Sequence, residues 1–385
     1  MLRLLLIITM TISLLSVGCQ RRDREVDYER PLADGEVALV EVPAEQWPQF
    51  QLGTNRAALL TGVEHSLTWL GAKSSHDDFP IAGITHDQVR RGLERFRELL
   101  KSGANEATVN QALRQEFKLY ASVGYNGEGV VLFTGYYTPI FDGSLQRTAR
   151  FRYPLYKRPN DLVTSGDTHA MAQQRLPDGS TRPYPARANI KTSGQLVGSE
   201  LVWLEDPFDC YIVQVQGSGK IRLPDGRLYE VGFNGTNGHP YVSVAKLLVA
   251  DGQLAARDLN LTNLRRWFRE NPQQFDYYVN QNPRYIFFTE TKGGPFGSLG
   301  RPVTTDVSIA TDKRIFPPGA LTYVITAEGM GNTTREVAGF RLDQDTGGAI
   351  RAPGRCDLYM GEGLAAERRA GTQQHEGRLL YLVAR

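Results

Sequence analysis

The periodicity of this chain changes three times, and that alternation limits the folds open to it. Over 85–120 the apolar residues recur at helical spacing. Thr85 and Gln88 form a capping box, and Val89, Leu93, Phe96 and Leu100 fall on one stripe. After a break at Gly103, Val109, Leu113, Phe117 and Tyr120 continue the helical pattern. From Gly129 to Phe233, β-branched and alternating runs predict strands at 130–137, 153–157, 200–204, 210–215 and 228–231. Short helices follow at 242–249 and 261–269, the second capped by Asn260 or Thr262. Strands return at 285–289, 321–326, 337–342, 357–360 and 379–383. This order reads as mainly β with helices (α+β), with a middle segment of distinct composition inserted between two flanks. The 385 residues suffice for two domains with separate cores. Arg-Leu-Pro-Asp-Gly occurs at both 175–179 and 222–226, but Pro-Asp-Gly presets a tight turn, so these are two loops rather than a repeat.

Composition excludes some classes. With 41% hydrophobic and 22% charged residues and a net charge of +2, the chain is an ordinary globular protein without the basic footprint of a nucleic-acid binder. The six histidines (65, 76, 86, 169, 239 and 375) show no metal-ligand spacing, so neither metal nor cofactor is expected. Cys210 and Cys356 each sit in an apolar run and read as two separate buried thiols. At the N-terminus, Arg3 precedes an apolar run ending in Ser16-Val17-Gly18-Cys19, the form of a secretory signal over 1–18. The charged stretch after Cys19 reads as a tether over 19–36, with order beginning near Gly35.

Candidate chemistry concentrates in three aspartates. Asp312 follows Ala310-Thr311, Asp345 precedes Thr346-Gly347-Gly348, and Asp357 lies in Cys356-Asp357-Leu358-Tyr359. Proton delivery to a glycosidic oxygen requires a carboxyl held above its ordinary pKa of about 3.9. The apolar neighbours of Asp357 favour that, whereas backbone N–H groups of the Gly347-Gly348 turn favour an ionised Asp345. Alternatively, both are turn aspartates at strand ends.

Two middle runs complement them. In a strand through Ile212, Gln214, Gln216 and Ser218 share one face, and their amides and hydroxyl match the acetamido and hydroxyl groups of an amino-sugar polymer; a solvated sheet face is the other reading. Gly217 and Gly219 would admit sugar close to the backbone. Thr134, Tyr136 and Thr138 line one face of a preceding strand, and Tyr136 or Tyr137 either stacks on a sugar ring or packs in the core.

These runs, Thr134-Gly135-Tyr136-Tyr137-Thr138-Pro139, Gln214-Val215-Gln216-Gly217-Ser218-Gly219 and the stretch from Gly232 to Tyr241, occur in order before the three aspartates. Together they resemble the MltA family of lytic murein transglycosylases with its C-terminal 3D domain. The resemblance implies a double-psi β-barrel over 37–135 and 286–385 (3D region about 300–371), a smaller β domain inserted at 136–285, and a groove between them. It implies non-hydrolytic cleavage of the β-1,4 bond between N-acetylmuramic acid and N-acetylglucosamine in peptidoglycan, with 1,6-anhydro ends. Asp357 maps to the single acid/base, Asp345 to its support, and Gly347 and Gly348 to the adjoining turn. Asp312 either caps the loop at Pro317-Pro318-Gly319 or touches substrate. The Tyr184 to Ile190 segment departs from the family at Asn189 and is left out of the site. Ser16-Val17-Gly18-Cys19 resembles a lipobox, although Leu is usual where Ser16 stands. Cys19 would then be lipidated, and Gln20 directs the anchor to the outer membrane, facing the periplasm; plain secretion is the alternative. The expected partner is the glycan strand and the expected state a monomer. A hydrolase with Asp345 activating water, or a non-catalytic wall-binding protein, are the rival functions.

Overall fold

A computed structural model of the chain describes residues 26–385 apart from 54, 166–169 and 330–332. The signal segment, Cys19 and His169 lie outside the described residues. Six strands close into a ring: Val131–Thr138, Arg355–Glu362, Ser308–Ala310, Arg335–Asp345, Leu321–Glu328 and Gln374–Ala384, the last pairing back onto the first. Leu39–Glu41 and Phe117–Ser122 extend this sheet from the Gln374–Ala384 strand. The chain then crosses through Pro139 alone into a second six-stranded sheet that starts at Ile140–Ser144 and ends at Ile286–Thr291. A bridge between Lys157 and Phe288 joins the two edges of that sheet. A three-stranded sheet over 162–183 flanks it.

Helices Arg56–Leu70 and His86–Lys101 cover the ring. The capping box at Thr85 and Gln88 is formed, and Gly92 lets the second helix approach closely, since a Cβ there would lie 3.1 Å from the Ala384 backbone. The following helix stops at Glu116, earlier than its apolar spacing predicts. Phe117 to Ser122 instead pairs with Gln374–Ala384, so tertiary pairing overrides the helical pattern. The expected tether is also shorter than 19–36, because Arg30 Nε donates to the Tyr125 carbonyl at 2.7 Å and Tyr28 to Glu376 at 2.7 Å. Cys210 and Cys356 are buried free thiols.

The strand expected at 210–215 is a helix, Pro207–Gln216. Asp206 caps it through the Phe208 N–H at 2.9 Å, Pro207 takes the first turn, and Gly217 closes it with φ 77°. Its apolar content misleads because the helix is buried on two sides. Phe208, Tyr211 and Ile212 enter the large core around the ring, whereas Cys210 and Val213 enter the core of the second sheet. Asp206→Ala therefore removes a helix cap rather than a loop residue. It should cost about 1 kcal/mol in denaturant unfolding; an unchanged midpoint would count against the capped helix.

Candidate active site

Between the ring and the second sheet lies a cleft of about 700 Å³, and Asp345 and Asp357 both open on it. Asp357 is set by a parallel strand pair that places it opposite Thr134, while Ala310 flanks it on the other side. The Thr134 hydroxyl donates to Asp357 Oδ1. It also accepts from Arg355 Nη2 at 3.0 Å, and the same Nη2 lies 3.6 Å from Oδ1. Because the hydroxyl has one proton and receives Arg355, that proton must point to Oδ1. Among the described residues no hydrogen bond reaches Oδ2, so Oδ2 is the oxygen left to carry a proton, on a residue that lines the cleft. Burial pushes this carboxyl above the ordinary aspartate range, against the Arg355 charge and the Thr134 hydrogen bond. Its side chain is 18% exposed.

Asp345 differs from the expectation that its neighbours would hold its pKa down. Thr346 N–H at 2.8 Å and Ser298 N–H at 2.9 Å do donate to its Oδ1. Burial nevertheless outweighs them and raises it to about 6. The aspartates are not adjacent, since Ala310 pairs with Asp345 on one side and Asp357 on the other. Two inter-strand spacings put their Cα atoms roughly 10 Å apart. Tyr136 feels both: its buried hydroxyl is raised well above 10 by burial and then by these two carboxylates, and it completes no good hydrogen bond among the described residues.

Asp312 is a brace rather than a cleft residue. It is fully buried, bonds Arg314 Nη2 at 2.6 Å and accepts the Ala352 N–H at 3.1 Å. Burial pushes its pKa up, but these bonds prevail and lower it. Tyr137 belongs to the core, its hydroxyl donating to Glu367 at 2.9 Å. Gly219 faces Val213, where a Cβ would meet methyls at 3.2 Å, so it serves packing and not sugar approach. Gln214, Gln216 and Ser218 do line the cleft. They do so as the last turn of a helix and the start of strand Ser218–Arg222, not as alternate residues of one strand. Gln216 Oε1 accepts the Tyr137 N–H at 3.1 Å, which leaves its NH₂ for a ligand. Thr138 pairs with the Tyr359 hydroxyl at 2.9 Å, and the Tyr136 and Tyr359 rings lie 5.1 Å apart. Gly347 and Gly348 form part of the wall, and Gly348 has no room for a Cβ, which would lie 2.8 Å from Arg284 Nε.

Sequence reasoning missed three residues and the partner of a fourth. Arg355 stands two before Asp357, on the same face of the strand, and that period-2 spacing was the available signal. Thr134 was read as lining a face without its partner. Phe233 and Phe296, 42% and 38% exposed, present apolar rings in the cleft that suit the faces of sugars. Nothing in the sequence marked Phe296 as exposed. Among the described residues no group of His, Cys, Asp or Glu is arranged to hold a metal ion.

Residues 132–289 match the MltA specific insert domain and residues 307–383 match the 3D domain. Membrane-bound lytic murein transglycosylase A of Escherichia coli (strain K12) is 29% identical over 293 residues, 74% of each chain. The crystal structure of a membrane-bound lytic murein transglycosylase from Agrobacterium tumefaciens superposes with a TM-score of 0.75 at 24% identity, covering 90% of this chain and 98% of that one. That of E. coli MltA with bound chitohexaose gives 0.69 at 24% identity, covering 93% and 96%.

The Arg355 contact yields a pH test. A carboxyl can donate a proton only while protonated, so any activity that uses Asp357 as an acid is lost as pH rises through its folded pKa. Arg355 holds that pKa down. Arg355→Gln should therefore raise it further and move the alkaline limb of the rate profile to higher pH. A limb that stays in place or moves down would remove Arg355 from the control of Asp357.

Proposed function

This chain belongs to the MltA family, and from that membership we infer that it is a lytic transglycosylase of peptidoglycan in which Asp357 is the single acid/base. The observation that carries the reading is Asp357 itself: a largely enclosed carboxyl, raised in pKa, with Oδ1 tied down and Oδ2 without a hydrogen bond among the described residues, on the lining of the cleft. Oδ2–H protonates the oxygen linking muramic C1 to the next sugar, and the C1–O bond breaks. The resulting carboxylate takes the proton from the muramic C6 hydroxyl as O6 bonds to C1, which closes the 1,6-anhydro ring and returns Asp357 to its acid form. The attacking group is already in the sugar, with an effective concentration of ~10⁵ M or more, so no positioned water is needed. The exposed Phe233 and Phe296 rings and the Gln216 amide would hold the glycan in register.

A hydrolytic reading also has support, because Asp345 at about 6 is a competent base near neutral pH. A non-catalytic wall protein would have no use for a carboxyl raised in pKa on the lining of the cleft. Digestion of sacculi in ¹⁸O water separates the first two. Anhydro ends without label are expected, and label at muramic C1 would mean hydrolysis. Asp357→Asn should cut the rate by ~10²-fold or more without unfolding the protein. Activity within a few-fold of the parent would remove Asp357 from the chemistry.

The ring of six strands supports the double-psi barrel as its topology, with the inserted domain running from Ile140 to Thr291 rather than over 136–285, because Val131–Thr138 stays in the ring and Ile286–Thr291 pairs within the second sheet. Relatives are named membrane-bound, and no helix among the described residues is long and apolar enough to cross a membrane. A lipid on Cys19, anchoring a monomer to the outer membrane on its periplasmic side, accounts for both. Cys19→Ser should move the protein to the soluble fraction with its activity on isolated sacculi intact; membrane retention of the variant would require another anchor.

A further inference from the structure

One wall of the cleft is positively charged and has no part in the chemistry above. Arg187, within the 184–190 segment, is buried at the start of helix Arg187–Ser193 and lines the cleft. Its Nε donates to the Asn282 carbonyl at 3.0 Å and its Nη2 to the Arg284 carbonyl at 2.5 Å. The guanidinium lies 5.4 Å from the Tyr211 ring and 5.0 Å from the Tyr285 ring. Among the described residues no Asp or Glu pairs with Arg187, and no hydrogen bond uses Nη1 of this cleft-lining residue. Arg284 lines the same wall, and Arg351 lies close enough that its charge, after burial, helps push Arg284 down to about 10. Carbonyl dipoles and rings hold the Arg187 cation but do not neutralise it, so this wall keeps a positive potential in a poorly solvated place. Beside it, Gln214 Oε1 is buried without a partner among the described residues, on the cleft lining.

An acceptor next to a cation fits one of the two sugars of peptidoglycan. N-acetylmuramic acid carries an acetamido N–H on C2 and an acidic substituent on the neighbouring C3; N-acetylglucosamine has the first without the second. We infer that Arg187, with Arg284 beside it, forms a carboxylate-binding site for the C3 substituent of muramic acid, while Gln214 accepts from the adjacent acetamido N–H. This inference rests on the reading of the cleft as a glycan site. The carboxylate is either that of the lactyl group or one on the stem peptide attached to it; both bring the same charge to the same wall.

Binding in the Asp357→Asn background, where cleavage does not interfere, tests this with three ligands: neutral chitohexaose, a peptide-free muramyl glycan, and the same glycan with stem peptides. At least one acidic glycan should bind more tightly than chitohexaose, and raising salt from about 50 to about 500 mM should erode that preference because screening acts on charge. Arg187→Gln should reduce the preference by about tenfold or more, and Arg187→Lys should retain part of it. Loss with the peptide-bearing glycan alone assigns the stem carboxylate; loss with the peptide-free glycan assigns the lactyl one. Should Arg187→Gln not fold, the salt dependence and Arg284→Gln carry the same test. Equal weakening of neutral and acidic ligands would make these arginines internal braces and overturn the site, as would a preference indifferent to salt. Failure to bind any of the three glycans would instead overturn the reading of the cleft itself.

Discussion

The parallel pairing of Val131–Thr138 with Arg355–Glu362 is the contact on which this molecule turns. It joins Thr134 to Asp357, residues 223 positions apart. It completes the ring, and it supplies the hydroxyl that orients the carboxyl. The same strand then runs through Pro139 into the second sheet, so one continuous backbone positions both walls of the cleft. Gly135 sits at its centre because helix Gly363–Thr372 crosses there, and a Cβ would lie 2.7 Å from Ala370. The glycine in the Thr134-Gly135-Tyr136 run is thus there for the helix behind the strand, and the residues on either side of it serve the cleft in front.

The carboxylates function at the expense of the fold. Burial raises both Asp345 and Asp357, so each opposes folding when ionised. For Asp345 the sign is explicit. Its folded value of about 6 lies above the unfolded value of about 3.9. The stability linked to it is present below that unfolded value and is lost as pH rises towards the folded one. The packed core around the ring offsets this cost.

Much of the architecture was legible because period-2 and period-3.6 patterns are strong over long elements. The capped helix at His86–Lys101 and the strands near Leu321 and Leu379 are of this kind. The helix Pro207–Gln216 was not, since burial against two cores makes every position apolar and erases the stripe that distinguishes helix from strand. Its end signals, Asp206-Pro207 and Gly217, were present and carried the better information. Within the site, the residue types of Asp357 and Asp345 were readable, but the sign of the Asp345 shift was not. Local N–H donors are visible in a Gly-Gly turn, whereas the depth of burial depends on the distant loop that brings Ser298. Arg187 shows the same limit, because its neighbours Tyr211, Asn282 and Tyr285 come from other parts of the chain.

The strand Gln374–Ala384 touches three partners: Val131–Thr138, Leu321–Glu328 and Phe117–Ser122. Until it arrives, the ring is an open sheet with unpaired edges, and the strand bearing Thr134 lacks one neighbour. During synthesis this segment emerges after both aspartates and the whole second sheet. Long-range pairing of this kind is slow and cannot begin early. The strand that carries Thr134 therefore gains its second neighbour only when nearly all of the chain described here is available, a lateness written in the order of the strands.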